Sequence, residues 1–144
     1  MPGLLQIKRV EDCMEWLEAA ATNYTASQSV GWLIDQLGEL CKVMPFVNNQ
    51  MAIAKYVLNE KKLRAYNSLV ASSVANASYF APSLAKDYIS SKIRDDQYNY
   101  DICERASRTV VHTMEALRTA ISALKEEVKM QGYANQQNAN HGNR

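Results

Sequence analysis

The chain has 144 residues, 47% of them hydrophobic and 22% charged, with a formal net charge of +1. This is the balance of one ordinary globular domain, and it excludes both a strongly basic and a strongly acidic protein. No uncharged apolar run approaches the ~18 residues of a membrane span, so no transmembrane helix is expected. The opening MPGLLQIKRVEDC lacks the order of a signal peptide, so cytoplasmic residence is the expectation. Charge is unevenly placed: residues 1–50 carry three basic and six acidic side chains, and residues 51–144 carry thirteen and nine.

The first amphipathic segment runs from about Val10 to Ala21, with Val10, Met14, Leu17 and Ala21 on one side. Glu11, Asp12 and Glu15 near its start suit the positive end of a helix dipole. TNYTAS (Thr22 to Ser27) breaks the pattern and offers N-caps for the next helix, about Ser29 to Met44. Its apolar positions are Val30, Leu33, Ile34, Leu37, Cys41 and Met44. Pro45 suits the first turn of a new helix or a kink in a continuing one. Residues 45–74 read as a third, long helix with Val47, Met51, Ala54, Leu58, Ala65 and Leu69 as its stripe, either separate from the second or continuous with it through that kink.

From Ser72 to Ser83 the composition turns to Ser, Ala and Asn and predicts a turn. A short helix follows from about Ser83 to Ile93, anchored by Leu84, Tyr88, Ile89 and Ile93. Arg94 to Gln97 form the next expected break, with Asp95 or Asp96 capping the last helix. That helix spans Tyr100 to Lys129, has no Gly or Pro, and is rich in strong helix formers. Cys103, Ala106, Val110, Met114, Leu117, Ile121, Leu124 and Val128 step by three or four, a single stripe down roughly eight turns. Residues 131–144, QGYANQQNANHGNR, have little to bury and predict a disordered polar tail. The expectation is therefore an all-α domain over residues 1–130: four to five helices, two of them long and antiparallel in a bundle-like core.

No phosphate loop, nucleophile elbow, zinc-protease motif or Glu-x-x-His pair is present, and two histidines leave little scope for acid–base chemistry. No enzymatic activity, cofactor or metal is expected. Cys13, Cys41 and Cys103 lack metal-ligand spacing and each falls where its helix takes an apolar residue, so buried thiols are expected. Two basic groups stand out. Lys55, Lys61, Lys62 and Arg64 cluster on the third helix, and Arg105, Arg108 and His112 share a face of the last. If the long helices lie side by side, these groups can form a groove tracking a phosphate backbone, with Tyr56, Tyr66, Tyr98 and Tyr100 for base stacking. The alternative is an ordinary charged surface in which they pair with Asp101, Glu104 and Glu115.

The run Cys103-Glu104-Arg105, then His112, Leu117-Arg118-Thr119, Ser122 and Lys125-Glu126-Glu127, together with Ala52, Ala54, Lys55 and Leu58, resembles small helical phage and prophage proteins of the UvsY-type recombination-mediator family. The resemblance spans about residues 35–129. It implies a non-enzymatic homo-oligomer that binds single-stranded DNA and helps load a recombinase onto DNA coated by single-strand-binding protein, in the host cytoplasm for a phage-encoded chain. Carried over by position, Lys55, Lys61, Lys62 and Arg64 would contact DNA, with Arg105 and Arg108 next, and the C-terminal helix would serve self-association. The near-neutral charge, the acidic first helix and the Asn/Gln-rich tail depart from that pattern. Two other functions fit the sequence: a structural or adaptor module (a virion component or partner-binding helix pair) without nucleic acid, and a phage anti-defence protein sequestering a nucleotide.

Overall fold

The computed structural model describes residues 3–23, 29–75 and 81–142. The described residues form four helices and no strand: α1 (Ile7–Asn23), α2 (Val30–Ala75), α3 (Pro82–Lys92) and α4 (Arg94–His141). α2 and α4 have 46 and 48 residues, so each is about 70 Å long at 1.5 Å per residue. They pack along most of their shared length, and α1 lies mainly against α4 while α3 lies against α2. The pairing is antiparallel. Ser107 Oγ donates to Asn48 Oδ1 at 2.6 Å, and further along Lys61 Nζ meets Asp96 Oδ2 at 3.2 Å.

The apolar stripes account for this arrangement. One buried cluster joins Leu17 of α1, Leu33 and Leu40 of α2, and Val110, Met114, Leu117 and Ile121 of α4. A second joins Val10, Val47, Ala54, Cys103 and Ala106. On α2 the innermost line is Leu33, Leu40 and Val47, seven residues apart. Ile34 and Cys41, each one residue further on, are turned about 100° away and are exposed. The expectation of three buried thiols is corrected accordingly: Cys103 is buried, Cys13 half-buried and Cys41 exposed. Burial pushes the Cys103 thiol up to about 11 and raises that of Cys13 as well.

α2 is one helix through Pro45. Proline removes one backbone hydrogen bond and costs about 3 kcal/mol in a helix interior. Leu40 and Val47 on either side of it are wholly buried against the rest of the bundle, and that packing holds the helix together across the defect. Ser29 caps the start, its Oγ accepting from the Trp32 amide at 3.2 Å. Gln50 is a buried polar group with both ends satisfied. Its Oε1 accepts from the Gln6 amide and its Nε2 donates to the Leu4 carbonyl, which fastens the segment before α1 onto α2.

Two boundaries differ from the sequence reading. The break expected at Arg94–Gln97 is a single residue, Ile93, whose side chain is buried, and Asp95 and Asp96 occupy the first turn of α4 rather than its cap. Their charge still complements the helix dipole there. At the other end α4 continues to His141, where a disordered tail is expected. Residues 125–142 of this extension are all exposed. Extending an existing helix costs far less than nucleating a new one, and from 125 to 141 there is no proline, only Gly132 and three asparagines that oppose it mildly. Part of the TNYTAS break and of the Ser72–Ser83 turn lies outside the described residues. No helix among the described residues is long and apolar enough to cross a membrane.

Candidate nucleic-acid interface

The register of α2 against α4 decides where the basic side chains go. The α2 residues beyond Lys61 extend past the start of α4, and α3 folds back to cover them. This end of the bundle concentrates cations: between Lys55 and Asp96 there are seven basic and four acidic residues. α3 buries no residue completely, so its lysines and tyrosine remain at the surface. Lys61, Arg64 and Ser68 of α2 share a shallow cavity with Tyr88 and Lys92 of α3. The Lys92 ammonium sits 5.5 Å from the centre of the Tyr88 ring, within cation–π range. On another side of the same end, Lys62 and Lys86 line a cavity floored by Ile89 and Ile93.

The six basic residues singled out from sequence therefore do not make one groove. Lys61 is drawn inward by Asp96, whose carboxylate is nearly buried. Arg64 lies beside it and Lys62 opens onto the other cavity. Lys55 is exposed one helical repeat before Lys62, seven residues away, and so has nearly the same facing. Arg105 and Arg108 lie elsewhere, on the face of α4 turned away from α2, two residues beyond the inward-facing Cys103 and Ala106. They share an open surface with Asp101, Glu104 and His112. Arg108 donates to Glu104 at 2.8 Å, and His112 Nδ1 is 3.4 Å from Glu115. For α4, then, the mixed charged surface is the better description.

Among the described residues, Lys55, Lys62, Arg64, Lys86 and Lys92 form no ion pair. Tyr56 and Tyr66 lie within the same stretch of sequence and Tyr98 just beyond it, each more than half exposed. Lys86, Lys92 and Tyr88 do not stand out in sequence, because the apolar period of the short helix counts Tyr88 as an anchor. The spacing Lys86–Tyr88–Lys92 carried the signal only once α3 was known to be a surface helix.

Other recesses are of different character. The cavity between α1 and α2 is lined by Arg9, Asp12, Trp16, Glu39 and Val43, of mixed sign, and the Arg9 guanidinium stacks 4.5 Å over Phe46. Among the described residues no three His, Cys, Asp or Glu side chains gather as a metal site. Comparison with protein-family models, curated proteins and solved structures finds no match.

Proposed function

We propose that this chain is a non-enzymatic, homo-oligomeric accessory protein that binds single-stranded DNA at the α2–α3 end of the bundle. The observation that carries the reading is the set of unpaired cations there, Lys55, Lys62, Arg64, Lys86 and Lys92, interleaved with tyrosines. Unpaired ammonium and guanidinium groups release counterions from a phosphate backbone, and nearby aromatic faces accept bases whatever their sequence. One subunit offers few such contacts, so useful affinity requires several subunits on one strand. The resemblance to UvsY-type mediators read over about residues 35–129 would fit a role in recombinase loading. Lys61 contributes less than sequence suggests, because it is engaged by Asp96, and Arg105 and Arg108 are secondary.

The test is fluorescence anisotropy with a labelled single-stranded oligonucleotide at low salt. The variant Lys62→Glu/Arg64→Glu/Lys86→Glu/Lys92→Glu leaves the Lys61–Asp96 pair intact and should weaken binding at least tenfold. Arg105→Glu/Arg108→Glu should have a smaller effect. Wild-type affinity should fall with salt at about 0.7 log units per log unit for each phosphate contacted. Full binding by the fourfold variant, or no binding by wild type, overturns the proposal.

A structural or adaptor role without nucleic acid is the second reading. It is favoured by the apolar side chains exposed along the outer face of α2. Association through that face would change little with salt, which separates the two readings.

A further inference from the structure

The second half of α2 is apolar on two opposite faces. Ala54, Leu58, Ala65 and Leu69 point into the bundle and are buried. At about 100° per residue, Tyr56, Leu63, Tyr66, Val70 and Val74 fall together on nearly the opposite side, each between 43% and 78% exposed. A helix that packs one face on a domain normally carries polar residues on the other. Monomeric proteins rarely leave a contiguous apolar stripe of this kind uncovered. The outer stripe also has the spacing of a coiled-coil seam, with Tyr56, Leu63 and Val70 at a positions and Asn59 and Tyr66 at d.

The flanking charges indicate what covers it. Lys55 and Lys62 occupy the g positions on one edge, and Glu60 and Asn67 occupy the e positions on the other. In a parallel pair each g residue meets the e residue five positions later on the other helix. Lys55 then faces Glu60 of a second copy, twice over by symmetry, and Lys62 faces Asn67. In an antiparallel pair g meets g, which brings lysine against lysine. Neither Lys55 nor Glu60 has an ion-pair partner within the described chain. Asn59, at a d position of the seam, puts a polar pair between the helices, at a cost in stability. The helix is already ordered by its inner face, so the pairing carries little of the usual cost of ordering a free segment.

We infer that the outer face of α2 is the self-association surface of this protein, and that it pairs with the same face of a second copy in parallel register. This rests on the homo-oligomeric part of the reading above. It takes Lys55, Tyr56 and Tyr66 into the interface and leaves Arg64, Lys86, Lys92 and Tyr98 open to nucleic acid. Association is measured without nucleic acid, so its failure is distinguishable from a failure of DNA binding. The parallel arrangement brings the α2–α3 ends of both copies to the same end of the dimer.

Sedimentation equilibrium of the full chain at roughly 100 μM should give a dimer or an even multiple of it. Leu63→Glu/Val70→Glu should raise the dissociation constant at least a hundredfold, with circular dichroism unchanged because both side chains are exposed in the single chain. Lys55→Glu alone and Glu60→Lys alone should each weaken association severalfold, and the two together should restore it. If the Leu63→Glu/Val70→Glu variant unfolds, this charge exchange decides by itself. Oxidised Val70→Cys in a Cys41→Ser background should link two copies position to position. A monomeric wild type, association indifferent to Leu63 and Val70, or failure of the charge exchange to restore pairing overturns the inference.

Discussion

α4 divides into two parts of equal helical regularity and very different surroundings. From Asp96 to Ile121 it contributes eight buried residues to the bundle, and from residue 125 to His141 it contributes none. The apolar stripe does not stop where the packing stops. Val128 lies in line with Leu117 and Ile121, yet it is 63% exposed. The register explains the difference. Asn48 stands opposite Ser107 and Lys61 opposite Asp96, so the first residues of α2 lie near residue 126 of α4, and beyond that α4 buries nothing against the described residues. Burial is set by where the partner helix begins. Helicity is set by the absence of anything that stops propagation.

The largest effect that tests this contrast comes from the packed part. Leu117 is 1% exposed and sits among Leu17, Leu33 and Leu40. Leu117→Ala should lower the unfolding free energy by about 2–5 kcal/mol, the lost transfer energy plus the cavity left behind. Val128→Ala, on the same face of the same helix, should change it by less than about 0.5 kcal/mol. Urea denaturation of the two variants compares them directly, and equal losses would mean that Val128 is buried in solution by another chain.

A second effect distinguishes the packed part by pH. The Cys103 thiol is wholly buried, and burial raises its pKa from 9.0 to about 11. The unfolded chain therefore loses this proton before the folded one does. The stabilisation is intact below about pH 9 and is lost as pH rises toward 11. The shift corresponds to a decline on the order of 2 kcal/mol across that window. Urea midpoints at neutral pH and at pH 10.5 should show the fall in wild type. In Cys103→Ala, which is less stable throughout, the portion due to this thiol should be missing. At pH 8 a thiol reagent should modify Cys41 quickly and leave Cys103 untouched, since Cys41 is exposed whereas Cys103 is buried and burial holds its thiol protonated.

The all-α class, the two long helices and most of the inner stripe were legible from spacing alone. Val10, Leu17, Leu33, Val47, Ala54, Leu58, Val110 and Leu117 sit where a 3.6-residue period puts them. Periodicity was misleading where a helix has two apolar faces. Ile34 and Cys41 join Leu33 in the expected stripe because each is apolar and near the right spacing, although Leu40, outside that stripe, is the wholly buried one. Pro45 left two readings open, since a proline is equally at home in a first turn, and only packing on both sides of it decides for one helix. The basic residues were legible as a list but not as a surface. Whether Lys61 faces a strand of DNA or Asp96 depends on the offset between two helices, and no local signal encodes that offset.

The smallest effect concerns the unpacked part. Deleting residues 131–144 should leave the unfolding midpoint within about 0.5 kcal/mol of wild type, because the helix removed is exposed on every side and buries nothing. Amide hydrogen exchange should agree, with residues 130–141 exchanging near the rate of a fraying helix and residues 103–121 protected up to the global unfolding free energy. The same deletion weighs the two candidate surfaces for self-association. The resemblance proposed from sequence would place assembly on the C-terminal helix, whereas the proposed α2 pairing would place it on the outer face of α2. A truncated chain that sediments like wild type favours α2, because every residue from Ala52 to Val74 is still present. One that falls to monomer, with a matching loss of stability, puts the second copy on the overhang around Tyr133, the exposed apolar side chain that the deletion removes.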